Sequence, residues 1–246
     1  MFCMERKTRK VLGYDVDLLT FDDAVKLVCD KLEKSEGMQI VTINPEMIEM
    51  ANQNKEFSSV IKNAELVVPD GAGIELALKL KGITQERIPG IDFAKELINS
   101  CCMWGFPIAL IGAKEEVLEI TVRRLQNEFQ GLNISYSRNG YFIQSREEEI
   151  MTNLVRSNPK LVLVALGAPK QELFIDRCRK VLPNAVFIGV GGSFDVWAGT
   201  VERAPEFFQI MRLEWLYRTI KQPQRLKRIY KTLPLFLIKA IMEAKK

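Results

Sequence analysis

The sequence predicts an α/β fold: a mostly parallel sheet with helices on both faces, followed by a basic helical segment. Three observations predict it. Short β-branched or wholly apolar runs alternate with helix-length amphipathic stretches. The joints between them are short and rich in Gly and Pro, the pattern of a Rossmann-like sheet covered on both faces. The charge is also divided. The chain carries 35 basic and 31 acidic residues, of which ten and two fall in residues 212–246. That tail is therefore +8 and the preceding 211 residues are −4. We place the boundary between an α/β body, 1–204, and a helical appendage, 205–246, at Pro205.

Each element has a local reason. Residues 11–19 alternate around Gly13, which fits a short hairpin or paired strands. Thr20 is an N-cap for a helix to about residue 32, with Asp22 and Asp23 in its first turn. Residues 39–43 form a β-branched strand. Asn44-Pro45-Glu46 then starts a helix that should run to about residue 63. Residues 66–68 are the next strand, and Pro69-Asp70-Gly71-Ala72-Gly73 leads into a helix ending near Lys81 and closed by Gly82. Helices are expected over 92–103, 115–129, 146–157 and 170–181. Strands are expected over 108–111, 133–137, 161–166 and 185–190. Beyond Pro205 the pattern is helical, with breaks near Pro223 and Pro234.

Composition excludes several classes. No apolar run approaches the ~20 residues needed to span a bilayer. The N-terminus lacks the apolar core of a signal peptide, so a cytoplasmic protein is expected. Five cysteines without CxxC spacing argue against disulfides and structural zinc, and Cys101-Cys102 reads as thiols buried on an apolar helix. The chain has no histidine. That removes Ser-His-Asp and Cys-His nucleophiles and the HExxH zinc site, and leaves acid–base work to Asp, Glu, Lys, Tyr or Cys.

In open α/β sheets ligands bind beyond the carboxyl ends of the strands. The segments predicted there are 42–46, 69–73, 112–113, 167–172 and 189–195. Neither GxGxxG nor GxxxxGK[ST] occurs, so an ordinary dinucleotide site or P-loop is disfavoured. Asp70, between Pro69 and Gly71 at a strand end, is the candidate base, and it could equally be the N-cap of the next helix. Thr42 and Asn44 face the same crevice, where they could also be a plain strand residue and a cap. Asp15-Val16-Asp17 reads DxD, a metal-holding pattern in many sugar-nucleotide enzymes. It lies in the N-terminal hairpin, away from the crevice, and reads as a solvated strand face. In the tail, Leu213, Leu216, Tyr217 and Ile220, and again Leu226, Ile229, Tyr230 and Leu233, form apolar stripes flanked by Arg and Lys. Such stripes fit either packing on the body or a membrane surface.

At these residues the chain resembles the WecG/TagA/CpsF family of glycosyltransferases (family 26). The matching segments are Thr42-Ile43-Asn44-Pro45-Glu46-Met47, Pro69-Asp70-Gly71-Ala72-Gly73, Arg87-Ile88-Pro89-Gly90-Ile91-Asp92 and Gly140-Tyr141-Phe142. Further along come Leu166-Gly167-Ala168-Pro169-Lys170-Gln171-Glu172, Gly189-Val190-Gly191-Gly192-Ser193-Phe194-Asp195, Arg203-Ala204-Pro205 and Glu214-Trp215-Leu216-Tyr217-Arg218, then Pro223 and Arg225. They span nearly the whole chain in order, and are closest to the wall-teichoic-acid branch.

The resemblance implies transfer of N-acetylmannosamine (ManNAc) from UDP-ManNAc to the C4 hydroxyl of N-acetylglucosamine (GlcNAc) on undecaprenyl diphosphate, with inversion. It implies no metal or other cofactor. Asp70 would take the hydroxyl proton, and Thr42 and Asn44 would hold donor sugar and acceptor. Arg87, Arg218, Arg225 and Arg228 would neutralise the leaving UDP. Tyr141, Gln171 and Asp195 would hold the uridine. An anionic membrane surface is the expected partner, self-association away from it stays open, and nucleic acid is not expected. The rivals are a relative using another UDP-sugar, such as N-acetylmannosaminuronic acid or glucose, and a non-catalytic nucleic-acid binder using the basic tail.

Overall fold

A six-stranded, all-parallel sheet is the frame of the molecule, in the order β4-β3-β8-β7-β5-β6. The computed structural model describes residues 6–205, 207–208, 211, 214–221 and 226–245. The sheet strands are β3 (Met38–Ile43), β4 (Leu66–Pro69), β5 (Ile108–Gly112), β6 (Ile134–Arg138), β7 (Leu161–Ala165) and β8 (Val186–Gly189). A separate antiparallel hairpin, β1 (Thr8–Val11) and β2 (Tyr14–Asp17), precedes them. The sheet helices are α1 (Phe21–Lys34), α2 (Pro45–Gln53), α3 (Lys55–Lys62), α4 (Ala72–Leu80), α5 (Gly90–Met103), α6 (Glu115–Glu128), α7 (Glu147–Ser157), α8 (Lys170–Val181) and α9 (Ser193–Trp197). Two tail helices follow, α10 (Glu214–Lys221) and α11 (Leu226–Ala244).

Apolar alternation builds both faces of the sheet. Along β5 and β7, Ile108, Leu110, Leu161 and Leu163 pack into one core, and Ala109, Ile111, Val162 and Val164 into another. This is the predicted fold, with strands buried on both sides. Thr20 caps α1 by accepting from Asp23 N at 3.1 Å. Cys101 is buried on α5 and burial pushes its thiol up to about 12, so it is inert packing. Cys102, its neighbour, is only half-buried.

Four local expectations are corrected. The helix expected over 45–63 is two helices. Asn54 sits between them in extended backbone, and its side-chain oxygen caps α3 by accepting from Phe57 N at 3.0 Å. Pro234 does not break the tail but lies inside α11. The short helix α9 was not foreseen. The DxD segment is not a solvated face throughout. Asp15 is exposed, but Asp17 is 1% exposed, accepting from Arg6 Nε and Nη2 at 2.8 and 2.7 Å and from Val67 N at 2.8 Å. A buried carboxylate needs such partners, and Asp17 thereby fastens the hairpin to β4.

The tail is joined to the body by its own core residues. Phe236 and Ala240 of α11 are buried with Val11, Met47, Ile74 and Leu78. Lys239 neutralises the buried Glu49 at 2.7 and 3.0 Å. Glu243 accepts from Leu12 N at 3.0 Å and pairs with Lys81 at 2.7 Å. The opposite face of α11 carries Leu235, Ile238, Ile241 and Met242, all exposed. None of the described helices is long and apolar enough to cross a membrane.

Candidate active site

A cleft opens at the carboxyl ends of β3, β4 and β8, with a free volume of about 250 Å³. This is the crevice that parallel-sheet topology makes available for ligands. The parallel pairing of β3 with β4 sets Thr42 against Val68 and Ile43 against Pro69, and Asp70 N donates to Ile43 O at 2.8 Å. Thr42, Asn44 and Asp70 therefore meet on one rim, and all three line the cleft. Ile88 N donates to Pro69 O at 2.7 Å, which brings the Arg87 loop to the same place. Gly90 follows, so close to Thr42 that a Cβ there would lie 3.1 Å from the threonine methyl.

The N-cap position of α4 is Gly71, at φ +89, which has no side chain to cap the helix. Asp70 stands one residue before that position, just after β4 and on the cleft. Asn44 has both roles: its Oδ1 accepts from Met47 N at 3.0 Å as the cap of α2, while the residue lines the cleft. Its amide nitrogen is the donor it can offer a ligand.

Arg87 also lines the cleft, and Glu214 of α10 reaches it: Arg87 Nη1 lies 3.3 Å from Glu214 Oε2. Thr232 and Leu233 of α11 complete that wall. The tail is therefore part of the cleft. Glu46, Gly90, Ser193, Glu214 and Thr232 were not singled out from sequence as site residues. Glu46, Gly90, Ser193 and Glu214 lie in the quoted motifs, whereas Thr232 carries no sequence signal.

The remaining candidates lie elsewhere. Gln171 is 5% exposed and does not line the cleft. Its Oε1 accepts from both Gly167 N and Gly191 N at 3.1 Å, and its Nε2 donates to Glu172 at 2.7 Å. It ties together the loops after β7 and β8. Tyr141, 73% exposed, sits on the loop after β6, further along the same sheet end, and Asp195 lies in α9 behind Gly192 and Ser193. Arg225 lies outside the described residues. Arg218 and Arg228 fall on α10 and α11, with side chains that are not described.

Beside Gln171, Glu172 is 2% exposed, and its Oε2 has no hydrogen-bond partner. Burial pushes its carboxyl up to about 7, and the Gln171 hydrogen bond opposes that only in part. Arg203 grips Asp92, at the start of α5, with both Nη atoms at 2.8 and 2.5 Å. Burial lowers the guanidinium's pKa, but the Asp92 hydrogen bond and the charges of Asp92 and Glu214 outweigh it and raise the pKa. No cluster of three or more His, Cys, Asp or Glu able to hold a metal ion occurs among the described residues.

Comparison with known proteins places this cleft in a family. The family model described as the glycosyl transferase WecG/TagA/CpsF family matches residues 9–246. A relative from Bacillus spizizenii is 38% identical over 199 residues, which is 80% of this chain and 77% of the relative. It is named N-acetylglucosaminyldiphosphoundecaprenol N-acetyl-beta-D-mannosaminyltransferase.

The buried Glu172 makes a stability prediction. Its folded pKa lies above the ordinary 4.5, so the native state holds the proton that the unfolded chain releases. Stability is full below about pH 4.5, falls as pH rises to about 7 and is level above that, a loss of about 3 kcal/mol. Glu172→Gln removes that loss. Denaturant midpoints at pH 5 and pH 8 should converge for the variant relative to the wild type. Equal pH dependence in the two proteins would show that Glu172 is ionised in the fold.

Proposed function

The chain belongs to the WecG/TagA/CpsF family of glycosyl transferases, and we propose which transfer it carries out. It moves ManNAc from UDP-ManNAc to the C4 hydroxyl of GlcNAc on undecaprenyl diphosphate, making the ManNAc-β(1,4)-GlcNAc linkage unit of wall teichoic acid. The observation that carries this is the 38% identity, over most of both chains, to the relative of that name. The cleft supports it, because five of the matched motifs converge there around one strand-end aspartate.

The chemistry follows from the residues. A sugar hydroxyl is a poor nucleophile, and Asp70 accepts its proton as the oxygen attacks the anomeric carbon. A positioned base of this kind contributes roughly 10²–10⁴-fold. The glycosidic bond to UDP breaks as the new bond forms, and the electron pair leaves on the β-phosphate. Thr42 and Asn44 hold the sugars on either side of that axis. Arg87 takes the departing diphosphate, since a guanidinium fork matches phosphate oxygens.

Arg87 shares the described lining with Asp70, Glu46 and Glu214, so the lining alone is net negative. A diphosphate therefore requires further positive charge, which Arg218, Arg225 and Arg228 of the tail supply. Tyr141 and Asp195 contact the uridine from further along the sheet end, and Gln171 shapes that end by holding the two glycine loops. The exposed stripe Leu235, Ile238, Ile241 and Met242, on a tail of +8, rests on the inner face of the cell membrane where the acceptor lipid lies. The protein is then cytoplasmic and peripheral.

Two experiments test this reading. Incubated with a panel of UDP-sugars and a GlcNAc-diphosphate lipid, the wild type should yield a product heavier by one N-acetylhexosamine, and only from UDP-ManNAc. Asp70→Asn should lose at least a hundredfold in turnover while keeping its affinity for UDP. Transfer of a different sugar would reassign the donor, and near-normal turnover of Asp70→Asn would remove that residue from the mechanism. In a second experiment, Ile238→Glu combined with Met242→Glu should weaken sedimentation with anionic liposomes, yet leave transfer to a short, water-soluble acceptor near the wild-type rate. Unchanged liposome binding would show that this face of α11 does not meet lipid.

A further inference from the structure

Glu214 opens helix α10, where an acidic residue would ordinarily be a solvated partner of the helix N-terminus. Here it is 8% exposed, and its carboxylate lies in the cleft against an arginine 127 positions earlier in the chain. Burying a carboxylate is unfavourable unless it is paired, so this contact is built into the docked position of the tail. It is also unlike the other ion pairs that join tail to body among the described residues. Lys239–Glu49 and Lys81–Glu243 involve no residue that lines the cleft. They fasten α11, whereas Glu214 touches the machinery.

We propose that Glu214 is the positioning residue for Arg87: the tail carboxylate holds the guanidinium in place over the cleft, so docking the tail and assembling the leaving-group site are one event. The inference rests on the reading above, in which the cleft takes a nucleoside-diphosphate sugar and Arg87 serves its diphosphate. Arg87 sits in a loop fixed by Ile88 N to Pro69 O at 2.7 Å, so its backbone is set beside Asp70. Its long side chain is not set by the backbone. A guanidinium has five N–H donors and can serve a carboxylate along one edge and a phosphate along another. The contact at 3.3 Å to Glu214 orients the plane in advance. Arg203 lies within the field of the same carboxylate and clamps Asp92 in the first turn of α5, whose Gly90 and Ile91 line the cleft. Glu214 thus stands where the tail, the Arg87 loop and the start of α5 come together. Ordering an arginine before the ligand arrives, rather than on binding, is worth up to about tenfold in affinity.

The test uses the full chain and UDP as the calorimetric probe, with Glu214→Ala, Arg87→Ala and the double variant. Glu214→Ala should weaken UDP about tenfold and raise KM for the donor, with KM for a water-soluble acceptor unchanged. In the Arg87→Ala background, adding Glu214→Ala should have no further effect. Glu214→Gln, which keeps an acceptor atom in place, should recover part of the loss, and it serves as the probe if the alanine variant does not fold. Losses that multiply in the double variant, or wild-type UDP affinity in Glu214→Ala, overturn the proposal. A merely structural role would weaken donor and acceptor together. Arg87→Ala binding UDP as tightly as the wild type would instead remove the leaving-group role of Arg87, and this inference with it.

Discussion

The parallel pairing of β3 with β4 is the constraint on which the cleft depends. It sets two strand ends level, so that Thr42 and Asn44 from one chain segment face Asp70 from another. The hydrogen bonds from Asp70 N to Ile43 O and from Ile88 N to Pro69 O extend that register past the strands by one step each. Arg87 is placed by the second of them. Nothing in the local preference of these residues would bring them together. The sheet does so because Val41, Ile43 and Val67 are buried in the core on one of its faces and Ile40 and Val68 in the core on the other.

The tail completes what the sheet begins. A cleft for an anionic donor needs positive charge without a flexible, water-filled mouth, because charges act more strongly where water is excluded. Helix α11 is fixed by Phe236 and Ala240 in the core and by Lys239 on buried Glu49, which leaves Thr232 and Leu233 to wall the cleft. One helix thereby has three surfaces with different work: one in the core, one on the cleft and one apolar face outward. That arrangement explains why the basic excess and the apolar residues occur in the same short segment of sequence.

Most of the fold was legible in the sequence because its signals are local. Thr20 before an acidic turn, Asn44-Pro45, and apolar runs bounded by glycine mark element ends without tertiary information. The misread places are those where a second local signal competed. Asn54 caps a new helix within an unbroken apolar period, and Pro234 lies in a helix that Phe236 and Ala240 anchor in the core. Asp17 looked solvated because strand alternation cannot foresee that Arg6 and Val67 N will close over it. In the site, the strand-end residues Thr42, Asn44 and Asp70 were legible from topology. Glu214 and Thr232 were not read as site residues, because they reach the cleft only through tail docking. Gln171 was legible as a special residue, but its amide serves the Gly167 and Gly191 loops rather than the cleft.

A single displacement assisted by Asp70 is the central claim, and the anomeric configuration of the product tests it most directly. One carboxylate acting as base, with attack opposite the departing diphosphate, gives inversion, whereas a second carboxylate acting as nucleophile gives two displacements and retention. Proton and carbon NMR of the disaccharide made from the α-linked nucleotide sugar should show a β linkage. An α-linked product would contradict the account and point to a covalent step on another carboxylate of the cleft, such as Glu46 or Glu214.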